Sequence, residues 1–310
     1  MLLANDTSTD RSQSHPRMSA FAAVSAVSAV SAAAPGSRRP ARCHARRAVA
    51  RAGPPASGAE LLATLELEAP GWSGGYGTGG KVWSSSRVLC DYLVDVAAGL
   101  EAAPPLELRG ARVVELGSGT GAVGLACAAL GARAVVLTDG GSKSLLRLAE
   151  TNAARWSKRA RAADAAAPDV RVCGYKWGAA PLPSALVEGA PFDLIVGSDC
   201  TYSVGGHGAL CDAINLLAAR GRPEGAAEPA VVLAHQHRTL AAALAGRGSA
   251  GWGKDPHLRM FVETAATRGL DVREVRVARL AWHGLRNVSV LRVTRAASGG
   301  RGGSGGAFRS

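Results

Sequence analysis

A glycine-rich turn flanked by two carboxylates is the strongest chemical signal in this sequence. The apolar run Val113-Val114-Glu115-Leu116 leads into Gly117-Ser118-Gly119-Thr120-Gly121, and a helix of small residues is predicted to follow. Glycine allows a tight turn and lets a ligand approach the backbone without meeting a Cβ atom. The helix N-terminus then offers free N–H groups and a partial positive charge. Asp139 ends the next predicted strand, 22 residues after Gly117.

The two carboxylates narrow the class of ligand. An acidic residue in the position of Asp139 can accept both hydroxyls of a ribose, a role found in sites for NAD and for S-adenosylmethionine. A dinucleotide would place its pyrophosphate beside Glu115 and be repelled, whereas the ammonium and sulfonium of S-adenosylmethionine would be attracted. Glu115 therefore favours a methyl donor. The alternative is an ordinary strand-end turn of an α/β protein.

Further candidate residues follow the later strands. Trp177 comes after the third strand, where its indole can stack on an adenine, although a plain core tryptophan is the alternative. Asp199 and Tyr202 follow the fourth strand, where they can orient a neutral amine in line with a methyl group. The Tyr202 ring can also face a methylated ammonium. For Asp199 the alternative is the N-cap of the next helix.

Histidine and cysteine patterns indicate no metal site. His235-Gln236-His237 ends the fifth strand and places two imidazoles close together, but the sequence shows no third ligand. His207 and His283 lie near glycine in predicted loops, and we expect both to be solvent-exposed. The six cysteines form no Cys-x-x-Cys pair, which favours a reducing compartment over a disulfide framework or zinc cage.

Residues 81–294 resemble the class I, seven-strand methyltransferases, and more narrowly the methyltransferase-like 21 group of protein lysine methyltransferases. Five stretches carry the resemblance in the order and spacing of that group. They are Lys81-Val82-Trp83-Ser84, residues 115–121, Leu137-Thr138-Asp139, Lys176-Trp177-Gly178 and Asp199-Cys200-Thr201-Tyr202.

The resemblance implies a function and a set of site residues. It implies S-adenosylmethionine as cofactor, a lysine side chain of a protein as methyl acceptor, and catalytic roles for Asp199 and Tyr202. The residues implied to bind the cofactor are Trp83, Glu115, Gly117, Ser118, Gly119, Asp139, Trp177 and Ser198. The motif after the fourth strand lacks the Asn/Asp-Pro-Pro-Tyr typical of enzymes that methylate nucleobase amines. A small-molecule methyltransferase and a non-catalytic binding module remain as alternatives.

The alternation of predicted elements defines the fold class. Apolar runs at 111–116, 134–139, 170–173, 192–199, 230–236, 270–277 and 288–293 predict seven strands. Helices are predicted at 84–100, from the glycine-rich turn to 130, and at 143–156, 210–219 and 257–268. This order predicts an α/β, doubly wound, mostly parallel sheet with an antiparallel C-terminal hairpin, in a domain over residues 59–294. Between the fifth strand and the last helix, the long loop at 238–255 is typical of a lid or an insertion.

Charge and composition separate the tails from the body. The formal net charge is +12, but residues 1–58 hold eight arginines against two acids and residues 295–310 hold three arginines and no acid. The remaining 25 basic and 22 acidic residues nearly balance, so no nucleic-acid groove is expected. The body is predicted to act as a monomer. Residues 295–310 are predicted to be a flexible tail rich in Gly, Ser and Arg.

The N-terminal segment is predicted to be a disordered organelle transit peptide. Residues 18–58 are rich in Ser, Ala and Arg and contain no acid, which favours import into a plastid, with mitochondrion or cytoplasm as alternatives. A secretory signal is disfavoured because serine interrupts the apolar run at 20–34 at Ser25, Ser28 and Ser31. The same run is too short and too polar to span a bilayer. Compositional bias alone is the other explanation.

Overall fold

The computed structural model describes residues 55–72, 74–101, 106–163, 166–238, 255–280 and 286–296. Nearly all of the predicted transit peptide lies outside these residues, and so do most of the loop after the fifth strand and most of the C-terminal tail. Among the helices of the described ranges, none has the length and apolar character needed to cross a membrane.

The described chain contains seven strands and seven α-helices. The strands are β1 Arg112–Leu116, β2 Ala134–Asp139, β3 Asp169–Gly174, β4 Leu194–Ser198, β5 Ala230–Gln236, β6 Leu270–Leu280 and β7 Arg286–Arg295. The helices are α1 Gly58–Leu65, α2 Ser84–Ala97, α3 Ala122–Ala129, α4 Lys143–Ala163, α5 Ser184–Gly189, α6 His207–Ala219 and α7 Pro256–Thr267. Helices and strands alternate from α2 to β6.

The strands form one sheet in the order β3-β2-β1-β4-β5-β7-β6. Strands β1 to β5 pair in parallel, and β7 runs antiparallel to both of its neighbours. This arrangement confirms the predicted doubly wound sheet with an antiparallel hairpin at one edge. The strand order reverses between β1 and β4, and the carboxyl ends at such a reversal border a crevice that can bind a ligand.

Two apolar cores lie on the two faces of the sheet. Because side chains alternate along a strand, Val113 faces one core and Val114 faces the other. Helices α1 to α4 cover the first face, and α5 to α7 cover the second. The result is a three-layer α/β/α sandwich, and two short 3-10 helices, Gly77–Gly80 and Val204–Gly206, lie at the carboxyl ends of the parallel strands.

Local packing explains where the elements differ from the sequence prediction. The predicted helix 143–156 continues to Ala163, and Arg159 in the added turns donates hydrogen bonds to the Thr64 and Leu65 carbonyls at the end of α1. These turns are mostly polar, so apolar periodicity could not reveal them. Helix α1 was not predicted, although Ser57 caps it by accepting a hydrogen bond from Glu60 N. Helix α5 has only six residues and buries only Leu186.

Asn152 on α4 joins two segments that border the crevice. Its side chain is only 1% exposed, and its Oδ1 accepts a hydrogen bond from Glu68 N at 2.8 Å. Its Nδ2 donates to Glu68 O at 3.0 Å and to Thr120 O at 2.9 Å. The amide thus connects the segment after α1 with the glycine-rich turn.

We expect Asn152→Ala to lower the free energy of unfolding by about 2 kcal/mol, because it leaves buried backbone groups unpaired. The neighbouring Thr151→Ala is the matched control, since Thr151 is exposed and its hydroxyl donates to Arg147 O within its own helix. Urea unfolding of both variants measures the difference. Equal stabilities of the two variants would contradict this role of Asn152.

Candidate functional site

All ten site residues predicted from the sequence lie around one cavity. The cavity has a volume of about 960 Å³ and opens at the carboxyl ends of the parallel strands. Its walls include Trp83, Glu115, Gly117, Ser118, Gly119, Asp139, Trp177, Ser198, Asp199 and Tyr202. Residues separated by more than 100 positions in the chain are therefore assembled by the sheet into one site.

The glycine-rich turn forms the wall between β1 and α3. Gly117 and Gly119 both adopt positive φ, at 65° and 52°, a conformation that favours glycine. A Cβ on Gly119 would lie 2.8 Å from the carbonyl oxygen of Gly79, and one on Gly117 would lie 3.0 Å from Cys200 Sγ. Larger residues would therefore push the turn away from its neighbours and change the shape of the cavity.

Asp139 is held rigidly at the end of β2. Its Oδ2 accepts a hydrogen bond from Gly119 N at 2.9 Å, and its Oδ1 accepts one from Gly141 N at 2.7 Å. A carboxylate has about four acceptor sites, so these two bonds leave further lone pairs on a side chain that borders the cavity. Such a carboxylate can accept hydrogen bonds from a pair of hydroxyl groups.

Glu115 is buried beneath the first turn of α3. It is 1% exposed, and its Oε2 accepts a hydrogen bond from Gly124 N at 2.8 Å. Burial raises the pKa of Glu115 to about 8, although hydrogen bonds from Gly124 and Val123 oppose the shift. The carboxyl group is thus mostly protonated at neutral pH, and a cation beside it would favour the ionised form.

Aromatic residues line the other walls of the cavity. Trp83 Nε1 donates to Thr78 O at 2.9 Å, and its ring meets the edge of Trp72 at a centroid distance of 5.9 Å. Lys81 Nζ lies 5.0 Å from the centroid of the Trp83 ring. Trp177 packs beside the turn, where a Cβ on Gly117 would come within 3.3 Å of it. The indole of Trp177 also borders the cavity, so a flat ring can stack there.

Asp199 and Tyr202 lie together at one end of the cavity. Asp199 is 7% exposed and has a φ of 57°, a strained conformation for a residue other than glycine. Its Oδ2 pairs with Arg238 Nη2 at 2.6 Å. Helix α6 begins at His207 with Gly206 at the N-cap position, so the helix-cap alternative for Asp199 is wrong.

Four buried polar atoms of residues in the cavity wall lack a hydrogen-bond partner within the described ranges. They are Ser118 Oγ, Tyr175 Oη, Asp199 Oδ1 and Gln236 Oε1, and each belongs to a residue that is at most 7% exposed. Buried polar atoms are almost always paired in folded proteins. A ligand with hydroxyl and ammonium donors fits these atoms, the lone pairs of Asp139 and the surface of Trp177.

A buried network behind this end of the cavity corrects two expectations. His235 Nε2 and His237 Nδ1 lie 3.1 and 3.2 Å from Asp255 Oδ2, so the two histidines do have a third group beside them. Hydrogen bonds already use these atoms, and His235 Nδ1 also pairs with Thr201 Oγ1 at 2.6 Å. His207 was expected to be exposed, but it is buried and bonds to Thr201 O. The other expected exposed histidine, at 283, lies outside the described residues.

Sequence reasoning missed Asp255, Gln236 and Arg238. Burial by itself would raise the pKa of Asp255, but the hydrogen bonds from His235 and His237 hold it well below its ordinary value. The sequence Asp255-Pro256 is a helix-start signal, with an N-cap acid before proline, and could have revealed the cap. No local sequence pattern connects Asp255 to His237, which lies 18 positions earlier.

We expect the wild-type protein to lose stability relative to Glu115→Gln as the pH rises. The folded pKa of Glu115, about 8, exceeds its unfolded value of about 4.3. The contribution of this difference to the free energy of unfolding is therefore fully present below pH 4 and is lost as the pH rises through 8. Glutamine stays neutral and avoids this loss. Between pH 5 and pH 9, the free energy of unfolding should shift in favour of Glu115→Gln by on the order of 4 kcal/mol.

Urea unfolding at both pH values measures this shift, and Glu150→Gln is the control because Glu150 is exposed on α4. If Glu115→Gln and Glu150→Gln followed the wild-type pH dependence equally, Glu115 would not be a buried, neutral acid.

Comparisons with known proteins agree with this geometry. A family model described as lysine methyltransferase matches residues 64–241, more than half of the chain. The Aspergillus fumigatus protein named "Protein N-terminal and lysine N-methyltransferase efm7" is 31% identical over 132 residues, which cover 42% of this chain and 47% of that protein. Its Yarrowia lipolytica counterpart of the same name is 30% identical over 155 residues, covering 46% and 54%.

The chain spans about half the length of these curated relatives. The family match confirms the resemblance that the motifs indicated, with S-adenosylmethionine as the cofactor. The chain belongs to the lysine methyltransferase family.

Proposed function

We propose that this protein transfers a methyl group from S-adenosylmethionine to a lysine side chain of a protein substrate. The observation that carries the proposal is the single cavity that brings Asp139 and the glycine-rich turn together with Asp199 and Tyr202. Membership of the lysine methyltransferase family supports it. The roles assigned to individual residues below rest on their positions around this cavity.

One half of the cavity suits the cofactor. Asp139 would accept the ribose hydroxyls, Trp177 would stack on the adenine, and Glu115 would lie near the positive charges. Ser118 Oγ would find the partner that it lacks, and Trp83 and Ser198 would complete the walls. When bound, S-adenosylmethionine supplies a methyl group on a sulfonium centre, which a nucleophile can displace.

The other half of the cavity suits the acceptor amine. A lysine ammonium must lose one proton before its nitrogen can attack, so the site has to hold a neutral amine in line and keep water away. Asp199 Oδ1 is buried and unpaired in the described structure and can accept a hydrogen bond from that amine. Tyr202 is 45% exposed at the cavity mouth, where its ring can face an incoming side chain.

A protein N-terminus is a second candidate acceptor. The names of both curated relatives include N-terminal methyltransferase activity. An α-amino group has a pKa near 8, against about 10.4 for lysine, so more of it is neutral at physiological pH. Both acceptors are primary amines, and Asp199 and Tyr202 could orient either of them.

Radiolabel transfer separates these acceptors. Tritiated S-adenosylmethionine is incubated with a eukaryotic protein extract, either untreated or guanidinated so that lysine side chains are blocked and N-termini stay free. We expect label in protein from the untreated extract and its loss after guanidination. Label that survives guanidination would favour the N-terminal acceptor. Label in small molecules, or none, would contradict a protein substrate.

Asp139→Ala tests whether this cavity supplies the methyl donor. With a charge-assisted pair lost, the rate at limiting S-adenosylmethionine should fall about 30-fold and recover at saturation. Asp271→Ala is the matched control, because Asp271 pairs with Arg273 on the exposed edge strand. Equal rates for the two variants would place the donor elsewhere.

We also propose that residues 1–58 direct import into a plastid. The support is the stretch of Ser, Ala and Arg at 18–58, which has no acid. A fluorescent reporter fused to residues 1–58 should accumulate in plastids. Replacing Arg38, Arg39, Arg46 and Arg47 by Glu should prevent import, because transit peptides are poor in acid. Mitochondrial signal or diffuse cytosolic signal from the unaltered fusion would contradict the proposal.

A further inference from the structure

Arg238 follows β5 and lies inside the acceptor end of the cavity. Its guanidinium donates to Asp199 Oδ2 at 2.6 Å and to Gln236 O at 2.9 Å. The guanidinium carbon lies 5.5 Å from the centroid of the Tyr202 ring. Its backbone N–H points to Asp255 Oδ2 at 3.3 Å. Three contacts thus fix the guanidinium beside the two residues assigned to the acceptor amine, and the fourth fixes the backbone of Arg238.

Two acceptor atoms remain unpaired beside this cation. Arg238 uses one oxygen of Asp199, while the other oxygen, Oδ1, has no partner among the described residues. Gln236 Oε1 is in the same condition, and its side chain is buried at 4% exposure. Both residues line the cavity. A primary amine has enough N–H donors to satisfy both atoms.

A carboxylate at an acceptor site creates an electrostatic conflict. Beside an amine, an unpaired carboxylate stabilises the ammonium and raises its pKa, but only the neutral amine can attack a methyl group. A cation that pairs with the carboxylate removes most of this bias, while the second oxygen still accepts a hydrogen bond. Arg238 has the position that this requires.

We propose that Arg238 is a positioning residue that neutralises Asp199, so that Asp199 and Gln236 together hold the acceptor as a neutral amine. The inference rests on the proposed methyl transfer and assigns roles to two residues beyond the sequence motifs. It predicts that Arg238 acts through the protonation state of the acceptor.

The other charged groups near this end do not replace Arg238. Lys81, Lys176, Glu115 and Asp139 also line the cavity, but in the described ranges the cation paired with Asp199 is Arg238. Behind β5, His235 and His237 bond to Asp255, and that carboxylate accepts a hydrogen bond from the backbone N–H of Arg238 rather than from its guanidinium in the part of the chain that the structure describes. The guanidinium charge is therefore directed to Asp199.

The test is the pH dependence of methyl transfer by the full chain. Tritium transfer to a eukaryotic protein extract is measured from pH 6 to 10 for wild type, Arg238→Gln, Arg238→Lys and the control Arg273→Gln. Arg273 is exposed on β6 and pairs with Asp271. Desolvation lowers the pKa of a bound amine, so the wild-type rate should reach a plateau within this range.

The rate of Arg238→Gln should reach its plateau at a pH about one unit higher than that of the wild type. Near pH 7.5 its rate should be about tenfold lower, and this difference should disappear at high pH. Arg238→Lys and Arg273→Gln should keep the wild-type profile. The Kd for S-adenosylmethionine, measured by calorimetry, should change less than about twofold in Arg238→Gln, because the acceptor end is affected rather than the donor end.

A double variant keeps the test decisive if Arg238→Gln fails to fold. Arg238→Gln leaves the buried Asp199 carboxylate without its partner, which is destabilising, whereas Arg238→Gln combined with Asp199→Asn leaves no charge unpaired. The double variant should regain the wild-type plateau position, since the uncompensated carboxylate is gone. A plateau still displaced in the double variant would overturn the proposal.

Other outcomes would also overturn it. A loss in Arg238→Gln that is equal at every pH, an unchanged profile, or a failure of Arg238→Lys to restore the profile would reduce Arg238 to a structural role. A wild-type rate that climbs to pH 10 without a plateau would show that the site does not hold a neutral amine. Absence of any labelled protein with the wild type would instead remove the proposed function, and this inference with it.

Discussion

The reversal of strand order between β1 and β4 is the constraint on which the site depends. Successive parallel strands wind outward from this point in opposite directions, so the turns after β1 and β4 leave a crevice between them. The glycine-rich turn lies on one side of the crevice and Asp199 on the other. Because the sheet fixes both, a donor and an acceptor can meet there without a second domain.

Three buried carboxyl groups around this crevice have different partners and therefore different properties. Glu115 accepts hydrogen bonds from backbone N–H groups beneath α3, and burial raises its pKa to about 8. Asp255 is surrounded by His235 and His237, whose hydrogen bonds keep its pKa low despite burial. Asp199 shares one oxygen with Arg238 and leaves the other open to the cavity. Similar side chains thus serve as a neutral acid, a structural anion and a ligand-facing acceptor.

The sequence was most informative where chemistry coincides with the end of a strand. Gly117, Asp139, Trp177 and Asp199 follow four strands whose apolar runs are easy to recognise, so their convergence could be predicted from the parallel sheet. Helix α1 and the end of α4 could not be found in the same way. Tertiary contacts such as that of Arg159 with Leu65 stabilise them, and their sequences show no clear apolar periodicity. Burial of His207 also depends on tertiary contacts, since its neighbours in sequence are glycines.

The residues missed by the sequence analysis share one physical cause. Gln236 and Arg238 matter because β5 places them beside Asp199, which lies more than 30 positions earlier in the chain. Asp255 lies at the other end of the long loop that follows β5, and it hydrogen-bonds to His235, His237 and the backbone N–H of Arg238. Hydrogen bonds between such distant residues leave no spacing pattern, so only the assembled sheet reveals them.

A crystal structure of the protein with S-adenosylhomocysteine is the decisive measurement for the assignment of this cavity. We expect the ribose hydroxyls to lie within hydrogen-bond distance of Asp139, the adenine to stack on Trp177, and the sulfur to face Asp199 and Tyr202. A ligand bound outside the cavity, or one bound with its sulfur turned away from Asp199, would contradict this assignment.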